Sequence, residues 1–371
     1  MKICYLANAR SIHTQKWVRY FVDKGYDIHL ISFEKYPIEN VEVHHLKRPL
    51  NIPHASLPFI FALIPTVKKM IKRMEPDVLH AHNLYAYGLC GALCGFKPFV
   101  ATAWGSDVLF IPVERLGKYM VKRCIATYVA IRADLISVDS KSLMQEIIKL
   151  GASSKKIELI THGVNLKEFH PNMRSKTLKE NLKIPDESPV VISTRHLEPI
   201  YDVKTLIKAI PYVLKHYPNA FFLIVSEGPL KRELQDLAKN LKIMDHVNFV
   251  GKVPHREVPI FLATSDIYVS TSLSDTTSVS LLEAMACELP VVVTSLEGNR
   301  EWVKNGVNGF LIPRGDPKAL GDRLVYLLRS ETVRKTFGSI SRGIVEEKAS
   351  YQKEMRKMES FYKRLKSECE P

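Results

Sequence analysis

The chain alternates short apolar runs with segments of helical length. In its first half the runs are rich in β-branched and aromatic residues, and they are residues 3–6, 28–32, 78–80, 99–102, 135–138 and 157–160. Runs of this kind, separated by helix-length segments, predict parallel strands that are covered by helices on both faces. The first half is therefore predicted to be an α/β domain with a doubly wound sheet.

A second series of the same kind follows a polar stretch. Residues 163–189 alternate Lys with Glu and contain three prolines, which predicts a linker. Beyond it the apolar runs are residues 190–193, 221–225, 247–250, 267–270, 290–294 and 309–312. We therefore predict domains over residues 1–172 and 173–345, with a ligand cleft facing the carboxyl ends of both sheets. The tail, residues 345–365, has an apolar helical stripe and is predicted to pack on the body.

The charge balance favours an anionic partner. Lys and Arg number 53 against 39 Asp and Glu, for a net charge of +14, which suits nucleic acid, anionic lipid headgroups or phosphorylated small molecules. Apolar residues 59–64 precede a basic cluster, which either lies on anionic lipid or forms a solvated helix face. The cluster comprises Lys68, Lys69, Lys72 and Arg73, with Lys118, Lys122 and Arg123 in the same half.

Several features predict a cytoplasmic protein that reaches membranes only peripherally, from the inner face. The six cysteines include no C-x-x-C pair, which favours reduced thiols. No secretion signal is expected, because Asn8 and Arg10 interrupt the first apolar run. The longest apolar stretch, residues 57–67, falls short of the roughly 20 residues that span a bilayer.

Common cofactor motifs are missing from the sequence. There is no G-x-G-x-x-G after the first strand and no G-x-x-x-x-G-K-[ST], which argues against NAD enzymes and P-loop NTPases. There is no D-x-D pair for a divalent metal at a nucleotide diphosphate. The pairs His80/His82 and His44/His45 have no neighbouring Cys or acidic cluster in the sequence, so they are interpreted as ordinary polar histidines. We expect chemistry without a metal or other cofactor.

The most informative segment is the hydroxyl-rich loop after residue 270 and the helix predicted to follow it. Free backbone N–H groups and the positive end of the helix dipole form an anion seat suited to a diphosphate. Asp275 precedes the helix and Glu283 lies one to two turns inside it, so the pair could address separate hydroxyls of one ligand. The alternative is a capping box from Ser280 to Glu283, with Asp275 as a turn residue.

This segment resembles a family signature. Asp275, Glu283 and the following Ala-Met-Ala-Cys and Leu-Pro-Val-Val-Val resemble the E-x7-E-A-M-A-x-G-x-P-V of retaining glycosyltransferases of family 4. The resemblance covers nearly the whole chain, and its other matches are residues 161–171, 193–195, 227–229, 250–253, 298–301 and 308–313. It implies the GT-B fold: two facing Rossmann-like domains and a C-terminal helix, residues 346–371, that packs back on the N-terminal domain.

The resemblance also implies roles in donor binding. Glu283 would bind the ribose of the nucleotide, and Asp275, shorter by one methylene than the family's Glu, would contact the transferred sugar. Arg195 matches the family's phosphate-binding Arg, which suits charge that builds on a departing diphosphate. The loop amides and the Glu-Gly-Pro match add further donor contacts, at Thr277, Ser278, Val279 and Gly228. The family's partner Lys is missing, since Tyr201 and Asp202 occupy its region unless Lys204 reaches in.

A second departure lies in the first domain. Trp104 stands where family members often have His; it cannot act as a base, but it can stack on and orient a sugar. Asp107 is the nearest acidic candidate, with helix capping as its alternative role. Ser11 and His13, in the loop after the first strand, are expected on the acceptor side, with a merely polar loop as the alternative.

The resemblance implies retaining, metal-independent transfer from a nucleotide diphosphate sugar to a glycan or polyprenyl-linked lipid, in polysaccharide or glycolipid assembly. Nucleic acid is disfavoured as a partner. The alternatives are an epimerase or phosphorylase of the same fold, or a catalytically inactive protein that binds membranes or nucleic acid through its charge. The departures at Trp104 and Tyr201 keep the inactive alternative open, because a shared fold does not secure function.

Overall fold

The structure, a computed structural model, describes residues 1–47, 56–105, 107–108 and 116–369. The chain forms two compact units: unit 1 is Met1–His162 with Glu354–Pro371, and unit 2 is Gly163–Lys353. This division falls earlier than the predicted boundary at residues 172/173. Residues 163–189, which the sequence predicts to be a linker, belong to unit 2, because Phe169 and Ile184 are buried in its core.

Unit 1 is built on a parallel sheet. Its strands are β1 (Lys2–Leu6), β2 (Asp27–Ser32), β3 (Glu42–His45), β4 (Val78–His82), β5 (Phe99–Thr102), β6 (Leu135–Val138) and β7 (Ile157–Leu159). They lie in the order β3-β2-β1-β4-β5-β6-β7. The order reverses direction at β1 and β4, and ligands bind at such a switch point in doubly wound sheets.

The strand β3 is the one that the sequence failed to predict. It reads Glu-Val-His-His and has no fully buried residue. It lies at the edge of the sheet and pairs with β2 alone. An edge strand is not covered on all sides, so it lacks the apolar run that identifies the inner strands.

Helices connect the strands of unit 1 and cover the sheet. They are α1 (Ile12–Asp23), α2 (Leu57–Met74), α3 (Ala86–Cys94), α4 (Leu116–Arg132) and α5 (Lys141–Lys149). The start of α2 is fixed by Ser56, whose side chain accepts a hydrogen bond from the Phe59 N–H. No helix among the described residues is long and apolar enough to span a bilayer.

Unit 2 repeats the plan with a second parallel sheet. Its strands are β8 (Val190–Ser193), β9 (Phe221–Ile224), β10 (Val247–Phe249), β11 (Ile267–Ser270), β12 (Val291–Thr294) and β13 (Gly309–Ile312), in the order β10-β9-β8-β11-β12-β13. Its helices are α6 (Lys176–Asn181), α7 (Val203–His216), α8 (Lys231–Asn240), α9 (Val258–Thr264), α10 (Val279–Ala286), α11 (Glu297–Arg300), α12 (Pro317–Leu328) and α13 (Glu331–Lys348). The switch point here lies between β8 and β11, which places the β11–α10 loop where a ligand is expected.

The C-terminal tail is two helices and not one. α13 ends at Lys348 and α14 (Tyr351–Cys369) begins after a break at Ala349 and Ser350. Val164 pairs with the break: its N–H donates to Ala349 O at 2.7 Å, and its carbonyl accepts from the Tyr351 N–H at 3.0 Å. Gly163 permits this approach, because a Cβ there would lie 2.6 Å from Tyr351 Cα.

From Glu354 onward, α14 belongs to unit 1. Met355, Met358 and Tyr362 have no exposed surface, and the Tyr362 hydroxyl lies 3.2 Å from that of Tyr5 on β1. Burial of one large apolar side chain contributes about 1.5–3 kcal/mol to the stability of the fold. The apolar stripe in the sequence is therefore the face with which α14 packs on unit 1.

Candidate active site

The loop between β11 and α10 ends in a helix cap. Ser278 is the N-cap residue, and its Oγ accepts a hydrogen bond from the Leu281 N–H. The capping-box alternative from Ser280 to Glu283 is therefore wrong, because Ser280 already lies inside the helix and Glu283 binds a different partner. Val279 is the first residue of α10, so the first N–H groups of the helix follow directly on the loop.

Arg195, which follows β8, reaches this helix start. Its Nη1 donates to Ser278 Oγ at 2.6 Å and to Ser280 Oγ at 3.0 Å. Its Nη2 donates to Asp275 Oδ2 at 2.7 Å. The residue is 9% exposed. Burial is the largest single influence on its pKa and disfavours the charge, but Asp275, Tyr268 and Tyr201 together outweigh burial, and the pKa of Arg195 is raised. A fixed guanidinium cation thus lies against the amino end of α10.

Tyr201 stands where the family has a Lys, and it supports Arg195 in another way. The Arg195 Cζ lies 4.2 Å from the centroid of the Tyr201 ring, a cation–π contact. Lys204 does not supply the missing charge, because its Nζ binds Glu233 Oε1 at 2.9 Å on the surface. The Arg195 Nε is buried and has no hydrogen-bond partner among the described residues, which leaves a donor for a ligand.

Glu283 lies inside α10 and binds a histidine. Its Oε1 lies 2.9 Å from His255 Nε2, and the residue is 5% exposed. His255 comes from the turn between β10 and α9, which brings a second element to the site. The sequence does not identify His255: it follows the matched Val250-Gly251 segment, but one histidine there carries no pattern of its own.

Gly228 and Gly298 each lie close to a backbone carbonyl oxygen, where a Cβ would not fit. Gly228, predicted to bind the donor, lies so near Leu197 that a Cβ would be 2.4 Å from its carbonyl oxygen. At Gly298 a Cβ would be 1.8 Å from Thr276 O. Thr277 Oγ1 accepts a hydrogen bond from Trp302 Nε1 at 3.3 Å. The contacts of Thr276 and Thr277 hold the loop that carries Asp275 and Ser278.

In unit 1, the structure brings His13 and Trp104 together. Their ring centroids are 5.3 Å apart, and both rings contact His162, at 5.0 Å from His13 and 4.7 Å from Trp104. The Trp104 and His162 rings are stacked at 21°. Sequence reasoning missed His162, which stands where the matched family pattern has Asn. Ser11 is the N-cap residue of α1, without a side-chain capping bond.

Asp107 joins two loops of unit 1. Its Oδ2 accepts from the Leu84 N–H at 2.6 Å and its Oδ1 from the Trp104 N–H at 3.1 Å. Burial raises the pKa of Asp107 despite these hydrogen bonds, which act in the opposite direction. Asp107 thereby positions the backbone of Trp104. The residues that an N-cap at Asp107 would serve lie outside the described residues.

His80 and His82 lie buried beneath this aromatic group. His80 Nε2 is 2.7 Å from Thr102 Oγ1, and its Nδ1 binds the Tyr362 hydroxyl. His82 Nδ1 is 3.3 Å from Thr14 Oγ1. Burial, together with the nearby His13, lowers the pKa of His82 to about 3. Burial, together with His82, also lowers the pKa of His80 well below its ordinary value, so both rings are neutral at neutral pH.

Two Rossmann-like units, each built on a parallel sheet, match the GT-B fold, and comparisons with known proteins agree. Residues 174–343 match the family model of glycosyl transferases group 1, and residues 2–140 match that of glycosyl transferase 4-like proteins. Together these two matches cover most of the chain. The chain therefore belongs to the glycosyltransferases that these two models describe.

Individual relatives extend over most of the chain. N-acetyl-alpha-D-glucosaminyl L-malate synthase of Bacillus anthracis is 24% identical, over 92% of this chain and 90% of that protein. Alpha-monoglucosyldiacylglycerol synthase of Acholeplasma laidlawii is 24% identical, over 82% and 79%. The structure of HepE from Anabaena in complex with UDP has a TM-score of 0.81 at 19% identity, covering 98% of this chain and all of HepE.

Proposed function

We propose that the protein transfers a sugar, with retention and without a metal, from a nucleoside diphosphate sugar to a glycan or lipid-linked acceptor. The observation that carries this proposal is the anchored Arg195 at the start of α10, with Glu283 and His255 one turn further along. This arrangement offers a cation and N–H donors for a diphosphate, and a carboxylate for a ribose. The remaining steps follow from these contacts.

The diphosphate binds at Arg195 and the first turn of α10. The Arg195 Nε–H, which has no partner among the residues that the structure describes, and the N–H groups that follow Ser278 donate to its oxygens. Negative charge grows on the diphosphate as the bond to the sugar breaks, so the fixed guanidinium stabilises the transition state more than the bound donor. Tyr201 keeps the guanidinium plane in position.

The acidic residues bind the two sugars of the donor. Glu283 accepts from the ribose hydroxyls, and His255 orients its carboxylate through Oε1. Asp275 binds Arg195. When the diphosphate competes for Arg195, the Asp275 carboxylate becomes available to hydroxyls of the transferred sugar.

Retention and metal independence complete the proposal. The donor phosphate takes the proton of the acceptor on the same face of the sugar, so no side-chain base is required, in line with Trp104 in place of His. Arg195 and the helix dipole neutralise the leaving diphosphate, and the sequence has no D-x-D pair for a metal.

A lipid-linked acceptor is supported by one surface of unit 1. On α2, Phe61 is 54% exposed, and Lys68, Lys69 and Lys72 are exposed beside it. On α4, Met120 and Val121 are 52% and 44% exposed; the side chain of Lys118 lies outside the described residues. Apolar and basic side chains together suit anionic lipid headgroups. We propose that this surface holds the enzyme at the cytoplasmic face of a membrane.

Product analysis tests the transfer. The purified protein is given a panel of nucleotide sugars, with UDP-glucose first because HepE has been solved with it, and lipid or glycan acceptors. The expected product carries the anomeric configuration of the donor, as read by NMR. An inverted product contradicts retention. Epimerised donor without acceptor, or turnover only with free phosphate, identifies the epimerase or phosphorylase alternative.

Vesicle sedimentation tests the membrane surface. The wild type should bind vesicles of phosphatidylcholine with phosphatidylglycerol and not phosphatidylcholine alone, and salt should weaken binding. Reversing the charges of Lys68, Lys69 and Lys72 should abolish it. The control reverses Lys215, Lys239 and Lys335, three lysines that are exposed in unit 2, so both variants change the net charge equally. Equal loss in both variants would show a net-charge effect and contradict a specific surface.

A further inference from the structure

An edge of the unit 1 sheet carries a cluster of metal-binding side chains. β2 and β3 pair in parallel, with His29 opposite Glu42 and Ile31 opposite His44. Alternate residues of a strand share one face of the sheet. Asp27 and His29 therefore lie on the same face of the sheet as Glu42 and His44. Strand pairing thus brings the D-x-H of β2 and the E-x-H of β3 together into one cluster of four side chains.

Three of these side chains converge on a point. His29 Nδ1 lies 3.1 Å from His44 Nε2 and 3.3 Å from Glu42 Oε2, and His44 Nε2 lies 3.6 Å from Glu42 Oε1. Ligands at about 2.0–2.1 Å from a tetrahedral zinc ion lie about 3.3–3.4 Å from one another. The observed separations lie on either side of this value, so one ion could reach all three side chains with little movement.

The fourth residue of the cluster orients the first. Asp27 Oδ1 lies 3.3 Å from His29 Nε2, on the side of the ring away from the convergence point. When Nε2–H donates to Asp27, the Nδ1 of a neutral ring presents its lone pair to the other two side chains. Carboxylate groups hold metal-binding histidines in this way. The same lone pair can accept a hydrogen bond from His44 Nε2–H at 3.1 Å, and a bound cation would take the place of that proton.

The exposure of the group fits a metal site with access to solvent. The side chains of His29 and His44 are 12% and 20% exposed, while that of Glu42 is 66% exposed. Two imidazoles are thus held by the sheet, and water can supply a fourth ligand. Within the described ranges, no other group of three His, Cys, Asp or Glu side chains converges in this way.

We propose that His29, Glu42 and His44 bind a zinc ion, with Asp27 as the positioning residue of His29. Two imidazoles and a carboxylate are a ligand set that zinc accepts. The ion ties the edge strand β3 to β2 and has a structural role. The cluster lies on β2 and β3 themselves, whereas His13 and Trp104 follow the carboxyl ends of β1 and β5. The inference does not rest on the proposed sugar transfer.

Zinc titration of the full chain tests the proposal. The protein is stripped with EDTA, desalted and titrated with zinc chloride against a chromophoric chelator. The wild type should bind one zinc ion per chain, and His29→Gln and His44→Gln should weaken that binding at least a hundredfold. Asp27→Asn should weaken it about 10- to 100-fold. His45→Gln is the matched control: His45 is the exposed next residue of β3 and lies outside the cluster.

Cobalt provides a readout that does not depend on the variants. Co²⁺ bound to the wild type should give the intense visible absorption of tetrahedral coordination, and zinc should displace it. Absence of saturable zinc binding by the wild type overturns the proposal. So does zinc binding that His29→Gln and His44→Gln leave unchanged, or that His45→Gln weakens equally.

Discussion

Replacing Glu283 with Ala tests the ribose contact, on which the donor site depends. Hydrogen bonds accepted by a carboxylate contribute about 1.5–3 kcal/mol, and each 1.4 kcal/mol is a factor of ten in affinity. The Kd for UDP should therefore rise roughly 10- to 150-fold. His255 Nε2, which is partly exposed, loses its acceptor too, but this occurs in the free and the bound protein and largely cancels from the binding free energy.

Isothermal titration calorimetry with UDP measures this effect, and the control is Glu233→Ala, an exposed carboxylate that binds Lys204 on the surface. A double-mutant cycle then examines His255. If His255 acts on UDP only by orienting Glu283, His255→Ala should weaken UDP binding when it is made in the wild type. Made in the Glu283→Ala variant, it should cause no further loss of UDP affinity. A folded Glu283→Ala variant with an unchanged Kd would refute the ribose contact. Additive effects would refute the positioning role of His255.

Three further predictions concern catalysis and stability. Arg195→Ala should lower kcat by about 10²–10³ and change the donor Kd much less, whereas the exposed Arg314→Ala should change neither; an equal change in kcat and Kd would contradict a transition-state role. Transfer should proceed unchanged in EDTA, and a rate lost there and restored by Mg²⁺ or Mn²⁺ would contradict metal independence. Burial lowers the pKa of His82 to about 3 in the folded protein, whereas the ordinary pKa of His in an unfolded chain is about 6.5. Between these two pH values the unfolded chain binds a proton that the folded protein does not bind. The free energy of unfolding should therefore fall as the pH falls from about 6.5 toward 3. Urea denaturation at several pH values measures this, and a slope that His82→Gln does not reduce would contradict it.

The donor site shows why the sequence could predict its members but not their contacts. Asp275, Ser278 and Glu283 lie in one segment, so their spacing and the helix start were readable. Arg195 and His255 come from other elements. The resemblance supplied Arg195, but nothing in the local pattern pointed to His255. Likewise, the sequence shows that Tyr201 replaces a Lys, and the structure shows that its ring lies on Arg195.

The sequence by itself determined the two parallel sheets, because buried parallel strands require apolar runs and the runs are local. It also determined that a helix follows the hydroxyl-rich loop, whereas the structure decided that Ser278 and not Ser280 is its N-cap residue. Only the tertiary structure decided which distant side chains meet: His255 with Glu283, His162 with Trp104, and His29 with Glu42 and His44. Contacts of this kind depend on how strands pair and how turns direct side chains, and a one-dimensional pattern does not contain that information.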